Sequence, residues 1–245
     1  MANPKNIKNI KRVVVSDKHT FYWKDGDWHT HSGVLKEKDI KKSNEIKSHK
    51  GAKFKVFDAN FLDKLKNIRR GPATLTFKDA ALIVFFSGIG KKSKVIDAGA
   101  GCGLLAACLG RVASKVISYE RRGDFLKIAE KNLRFLKASN VQLKHKDIYE
   151  GISEKNADAI TLDLPEPWQV IPHAYKSLKS GGTLITYLPS IVQVERTVTE
   201  AEKSGFFHSL TFETLFREWH IEGKRVRPKS QMIGHTAFIS IFRKV

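Results

Sequence analysis

From residue 79 onward the apolar positions change period repeatedly, from solid runs to stretches with one apolar face. Ala80, Ala81, Ile83, Val84, Phe85 and Phe86 fill a buried helix that stops at Gly88 and Gly90. Short runs at 94–98, 115–119, 141–145, 159–162 and 183–188 predict strands, those at 94–98 and 159–162 buried. Between them, 103–110, 122–137, 169–179 and 191–204 carry helical spacing, the last two closed by Gly181-Gly182 and by Gly205. Two closing strands are expected at 207–216 and 237–242. Strand and helix alternating in this way specify right-handed βαβ units, hence an α/β fold of Rossmann-like type. The expected sheet is mostly parallel, with helices on both faces.

The first sixty residues follow another rhythm. The runs at 13–15 and 21–23 flank a turn at Ser16-Asp17-Lys18-His19, and Asp25-Gly26-Asp27 turns the chain toward Trp28-His29-Thr30-His31. Residues 36–50 are polar and basic, and Phe54-Lys55-Val56-Phe57 alternates like an edge strand. This pattern predicts a small basic β-rich N-terminal domain over 1–65 and the α/β domain over 66–245. His29 and His31 share a strand face without Cys or acid partners, so no metal site is expected there.

Composition narrows the function. With 245 residues and an apolar fraction of 41%, the chain can bury a substantial core. No run approaches membrane-spanning length, and the polar, basic residues 1–12 do not read as a secretory signal. Cys102 and Cys108 lack disulfide or metal spacing and are expected to be reduced, which suits the cytoplasm. The net charge is +19, and residues 1–70 hold 18 Lys and Arg against 8 Asp and Glu. An excess this large points to a polyanionic partner, with nucleic acid favoured over membrane because no basic amphipathic helix is evident.

The densest chemistry lies in Val95-Ile96-Asp97-Ala98-Gly99-Ala100-Gly101-Cys102-Gly103, followed by Glu120 at the tip of the next strand. A glycine turn between strand and helix lets a ligand approach the backbone, and the helix N-terminus faces it. An acid about twenty residues on can accept hydrogen bonds from two ribose hydroxyls. The G-x-G-x-G spacing differs from the G-x-G-x-x-G of dinucleotide binders, which favours S-adenosylmethionine over NAD. In an open α/β sheet, Gly99, Gly101, Gly103, Glu120, Asp147 and Asp163 should converge beyond the carboxyl ends of the strands. The run Asp163-Leu164-Pro165-Glu166-Pro167-Trp168 then sets an acid on a loop stiffened by two prolines. Such an acid can recognise and polarise an amino group beside a methyl donor.

Taken in order, these features resemble the TrmI-like tRNA (adenine-N1)-methyltransferases over nearly the whole chain. The matching pieces include Trp28-His29-Thr30-His31-Ser32-Gly33, the segment from Gly71-Pro72 to Phe77-Lys78-Asp79-Ala80, the glycine turn and Tyr119-Glu120. They continue with Lys146-Asp147-Ile148, the Asp163 loop, and the tail Arg225-Val226-Arg227-Pro228 with Gly234-His235-Thr236-Ala237-Phe238. The resemblance implies methylation of N1 of the T-loop adenine at tRNA position 58, in archaeal members also at 57, by a homotetramer. It implies that Gly99, Ala100, Gly101, Cys102, Gly103 and Leu104 hold the methionine end of S-adenosylmethionine. Glu120 would take its ribose, Asp147 and Ile148 its adenine, and Leu75 would line the pocket. Asp163 would be the catalytic residue, facing both cofactor and target base, with Pro165, His235 and Thr236 framing the base. Departures fall on cofactor contacts: Cys102 replaces a small hydroxyl residue, Arg121 and Arg122 follow the ribose acid directly while Phe125 stands where relatives carry a basic residue, and Ala73 or Thr74 replaces a glutamine. Two alternatives share the fold: a methyltransferase of another substrate, and a non-catalytic tRNA-binding subunit. The latter would be expected to lose the glycine turn or Asp163, and this chain keeps both.

Overall fold

Strand-forming runs rich in Val, Ile and Phe, broken by glycine turns, build both parts of the chain in the computed structural model, which describes residues 10–16, 19–71 and 75–245. The chain divides into two units, Met1–Arg69 and Arg70–Val245. The expected turn at Asp17-Lys18 and the positions Pro72, Ala73 and Thr74 lie outside the described residues.

The first unit contains β1 (Arg12–Val15), β2 (Thr20–Trp23), β3 (Trp28–Thr30), β4 (Gly33–Leu35), α1 (Glu37–Lys42), β5 (Glu45–Lys47), β6 (Lys53–Asp58) and α2 (Phe61–Leu65). Its four-stranded antiparallel sheet has the order β2-β1-β6-β5, with β3 and β4 as a separate hairpin. Trp23 is fully buried among Val14, Leu35, Ile40, Ile46, Phe54 and Val56, and its indole N–H donates to Gly26 O at 2.8 Å. Asn60 and Asp63 form a reciprocal capping box that starts α2. The segment Phe54-Lys55-Val56-Phe57 is not an edge strand: β6 is interior, paired with β1 on one side and β5 on the other. The edge belongs to the three-residue β5, whose single buried residue, Ile46, gives no readable alternation. For the same reason α1, with Ile40 alone buried, disappears inside a polar and basic stretch.

The second unit runs α3 (Phe77–Phe86), β7 (Lys94–Ala98), α4 (Leu104–Gly110), β8 (Lys115–Glu120), α5 (Gly123–Leu136), β9 (Val141–His145) and β10 (Ala157–Leu162). It continues with α6 (Ile171–Ser177), β11 (Leu178–Leu188), α7 (Ile191–Lys203), β12 (Phe206–Phe212), β13 (Trp219–Glu222), β14 (Arg225–Pro228) and β15 (Phe238–Lys244). The seven-stranded sheet has the order β12-β15-β11-β10-β7-β8-β9 and is parallel from β11 to β9, with β15 antiparallel to both its neighbours. Right-handed crossovers put α4 and α5 on one face and α6 and α7 on the other, because chain order reverses between β7 and β10. That reversal opens a crevice at the carboxyl ends of β7 and β10, where such sheets bind ligands. Beneath it, Ile96, Ile117, Ile160, Leu162, Leu184 and Phe242 join one core cluster with Ile171 and Ala174 of α6.

Two further expectations change. The helix expected through 179 stops at Ser177, and the two glycines fall inside β11. There the register jumps from Ala157↔Leu178 to Ala159↔Thr183, so the intervening residues bulge, with Gly181 at φ +70°. The strand expected through Phe216 leaves the sheet after Phe212. The chain then makes the hairpin β13–β14 instead, turning at Gly223 (φ +54°), before returning as β15.

Candidate active site

Gly99 explains why the turn after β7 has its sequence. Its φ is +85°, and a Cβ built on it would lie 2.1 Å from the carbonyl oxygen of Asp163. Only glycine allows that approach, which Asp163 N reinforces by donating to Ala98 O at 2.9 Å. The tips of β7 and β10 are thereby locked together. Gly103 (φ +80°) caps α4 in the left-handed conformation and lies against Ala129 of α5.

Glu120, almost buried at the end of β8, accepts from Gly101 N and from Arg122 N, each at 2.9 Å. Behind it Asp97 is fully buried and accepts from Ser118 Oγ at 2.5 Å and Thr161 Oγ1 at 2.7 Å. Burial raises the Asp97 carboxyl above its ordinary value despite these bonds. Asp163, half-buried at the tip of β10, is pushed up to about 7, by burial first and then by the negative charges of Asp97 and Glu120. Three carboxyl groups therefore sit around one strand-end turn, and the outermost of them titrates near neutrality.

A cavity of about 330 Å³ opens in front of this cluster, and Gly99, Gly101, Glu120, Asp147, Ile148, Asp163 and Pro165 all line it. The sequence-expected residues thus divide by position. Ala100, Cys102, Gly103 and Leu104 are buried in the turn and the first turn of α4, behind the cavity wall. Cys102 contributes its carbonyl, which accepts from Asn132 Nδ2 at 2.7 Å. Leu75 is buried just before α3 and does not line the cavity. Asp147 caps the turn after β9 through Tyr149 N at 3.1 Å, and Arg121 reaches it at 3.4 Å. The Asp163 loop is held by Gln193 Nε2, which donates to Pro165 O at 2.8 Å, and by Tyr149 Oη, which accepts from Glu166 N at 3.2 Å.

His235 and Thr236 belong to a neighbouring network. His235 bonds Glu213 Oε2 at 2.7 Å and Pro189 O at 2.9 Å, and the Glu213 bond, then the carbonyl, raise its pKa. Thr236 Oγ1 accepts from Lys78 Nζ at 2.8 Å, and the same ammonium donates to Thr214 Oγ1 at 3.2 Å and Asp79 Oδ1 at 2.5 Å. Tyr187 Oη and Thr76 Oγ1 donate to the other Asp79 oxygen at 2.9 and 2.8 Å. Burial works against the Asp79 carboxylate, yet the bonds from Lys78, Thr76 and Tyr187 hold it below its ordinary value. The Tyr187 hydroxyl is raised by burial and by Asp79, and it also feels the charge of Asp163.

Sequence reasoning assigned no role to Lys78, Asp79 or Tyr187, and did not place Tyr119, Lys146 or Tyr149 at the cavity. One usable signal was the single Tyr near the end of the strand run 183–188. Another was an adjacent Lys-Asp pair at the start of a helix whose remaining residues are apolar.

The crevice at a topological reversal, the glycine turn and the acid on β8 define the S-adenosylmethionine-dependent methyltransferase fold. A Thermotoga maritima structure described as an S-adenosylmethionine-dependent O-methyltransferase matches with TM-score 0.87 and 30% identity, covering 99% of this chain and 95% of that one. Residues 73–237 match the family described as tRNA methyltransferase complex GCD14 subunit. The chain belongs to this family of tRNA methyltransferases. A Methanocaldococcus jannaschii relative, a tRNA (adenine(57)-N(1)/adenine(58)-N(1))-methyltransferase TrmI, is 37% identical over 87% of this chain and 86% of its own. The structure of tRNA (m1A58) methyltransferase TrmI from Aquifex aeolicus matches with TM-score 0.83 and 25% identity, covering 97% and 98%.

Proposed function

We propose that this protein transfers a methyl group from S-adenosylmethionine to N1 of the T-loop adenine at tRNA position 58, with position 57 as a second target. The observation that carries the reading is the Asp163 carboxyl, half-buried on a braced loop beside the glycine turn and titrating near 7. The residues fit the cofactor. Gly99 and Gly101 line the cavity at positive φ, Gly99 pressed against the Asp163 carbonyl, and Glu120 presents an acid at the ribose position. Asp147 and Ile148 would meet the adenine of the cofactor. S-adenosylmethionine, when bound, supplies an electrophilic methyl on a sulfonium centre.

Adenine N1 is a lone-pair nucleophile at neutral pH and needs no deprotonation. Asp163, as carboxylate, accepts a hydrogen bond from the exocyclic N6 amine, which raises electron density at N1. With the methyl taken up at N1 from the sulfonium, positive charge would build on the adenine ring, and the Asp163 carboxylate would offset it. Holding N1 in line with the methyl supplies much of the remaining acceleration. Pro165 is on the cavity wall for this role, whereas His235 and Thr236 frame the base through their bonds to Pro189 and Lys78.

A homotetramer, as in the resemblance, is supported by the β13–β14 hairpin. Its apolar face leaves Trp219 at 56%, Ile221 at 78% and Val226 at 60% exposed. A two-stranded hairpin is marginal alone, and this face asks for a second copy. Sedimentation at micromolar concentration should give a tetramer for the natural chain and smaller species for Ile221→Lys. A cytoplasmic location is supported by the free cysteines, and no helix among the described residues is long and apolar enough to cross a membrane.

The deciding experiment incubates tRNA with the protein and isotopically labelled S-adenosylmethionine, followed by nucleoside mass spectrometry. Label in 1-methyladenosine mapped to the T-loop is the expected result. Label in another nucleoside, or none with correctly folded protein, overturns it.

A further inference from the structure

Five described lysines of the first unit contrast in their partners. Lys36 and Lys41 are engaged, each 2.8 Å from a carboxylate, Asp27 and Glu37 respectively. Lys47, Lys53 and Lys55 are exposed, and none has a side-chain hydrogen bond or ion pair among the described residues. The β5–β6 register puts Lys47 directly opposite Lys53, and Glu45 opposite Lys55. Residues directly opposite on an antiparallel pair have Cβ atoms about 4.5–5.5 Å apart, so two ammonium groups facing each other there are destabilising.

Protection of a sheet edge explains a lysine on β5, since edge lysines block unwanted strand pairing. It does not explain Lys53 and Lys55, because β6 is interior. These three lysines share the face opposite the Trp23 core, to which β6 contributes the buried Phe54 and Val56. Two residues beyond Lys55 on that face stands Phe57, 46% exposed. Glu45 is the one carboxylate paired across strands with this row, leaving a net positive charge beside an accessible ring.

We propose that this outer face of the N-terminal sheet is an RNA-binding surface. Lys47, Lys53 and Lys55 contact phosphates, and Phe57 stacks on a base or ribose. The inference rests on the tRNA reading above and adds to it the location and chemistry of the contact. Backbone phosphates neutralise the facing ammonium groups and so relieve the repulsion between Lys47 and Lys53. An aromatic ring next to a cationic row is the arrangement that binds nucleic acid with little sequence preference.

The test measures binding of the full-length protein to a tRNA transcript by fluorescence anisotropy across salt concentrations. Each phosphate contact contributes about 0.7–0.9 to the slope of log affinity against log salt. The triple variant Lys47→Gln, Lys53→Gln, Lys55→Gln should therefore lower the slope by about two and weaken low-salt binding by roughly tenfold or more. Replacing the same three with Arg should restore the slope. Phe57→Ala should weaken binding with the slope unchanged. The pair Lys36→Gln, Lys41→Gln, which alters ammonium groups already engaged, should change the slope by less than about one.

Circular dichroism and thermal melting report folding, and both should match the natural protein in every variant. A natural protein that binds and methylates tRNA, beside a Gln triple variant with an unaltered slope, refutes this surface and leaves the activity standing. The surface is equally refuted if the Lys36/Lys41 pair lowers the slope as much as the triple variant does. A natural protein that neither binds nor methylates tRNA refutes the activity itself, and this surface with it.

Discussion

The β7–β9 flank of the pocket sets the Glu120 carboxylate against main-chain N–H groups, while the β11–β15 flank joins side chain to side chain. On the first flank, Gly101 N, Arg122 N and the Asp163 carbonyl make the decisive contacts, and one missing Cβ at Gly99 fixes the spacing. On the second, one ammonium, Lys78, bonds Asp79 together with Thr214 and Thr236, while His235 bonds Glu213 and Pro189. These bonds fasten both roots of the excursion 213–237 to the body of the sheet. The first flank depends on its glycines and on the acids Asp97 and Glu120. The other flank is only as sound as its buried ion pair.

Lys78→Met gives the harshest test of that contrast. It strands the Asp79 carboxylate, fully buried with no cation, at a cost of about 3–5 kcal/mol. Urea denaturation should record that loss, and a change under about 1 kcal/mol would mean the side-chain network is ornamental.

Next in size is Asp163→Asn, which keeps an acceptor but removes the charge. Single-turnover methylation of a tRNA transcript should slow by about 10²–10³-fold, with Asp163→Ala falling at least as far. The natural enzyme should gain rate as pH rises through about 7, where Asp163 becomes a carboxylate, and the Asn variant should lose that step. A near-natural rate for Asn would reduce Asp163 to a turn residue.

Glu120→Ala sharpens the other side of the comparison. Removing this acceptor should cost about 1–3 kcal/mol of S-adenosylmethionine binding by calorimetry, while tRNA binding persists. Unchanged cofactor affinity would show that this flank needs no acid at all.

The smallest effect runs in the favourable direction. Native Asp163 binds its proton more tightly than the unfolded chain does, so its contribution to stability falls as pH rises from about 3.8 to about 7. Asp163→Asn should therefore melt higher than the natural protein at pH 8 and show no such gain near pH 4. A lower melting temperature at pH 8 would contradict the buried-charge account.

The same division governs what can be read from the sequence. Alternating periods, the glycine turn and the proline-framed acid are local patterns, so the parallel sheet with helices on both faces and the convergence of Gly99, Glu120, Asp147 and Asp163 were legible. Partners separated by 108 residues, as Tyr187 and Asp79 are, or by 158, as Lys78 and Thr236 are, leave no local mark. The interior position of β6 was hidden because its neighbour β5 is three residues long. The β13–β14 hairpin was missed although Trp219-His220-Ile221 and Arg225-Val226-Arg227 alternate about the turn at Gly223, a readable hairpin pattern. Gly181-Gly182 misled in the opposite way, since a bulge uses the same residues as a helix stop.

The order of the strands also bears on how the protein is made. β15 follows β12 and the whole excursion in sequence, yet it slots between β11 and β12. A chain emerging from the ribosome can zip β7 through β11 as each segment appears, but β12 has no neighbour until β15 arrives. In that interval β11 offers an open edge and the apolar side chains of β12 have no sheet to join, a condition that invites aggregation. Translation slowed between residues 212 and 238 would prolong that exposure. The yield of soluble protein should therefore respond to synonymous codon changes in that stretch more than to equal changes over 141–162.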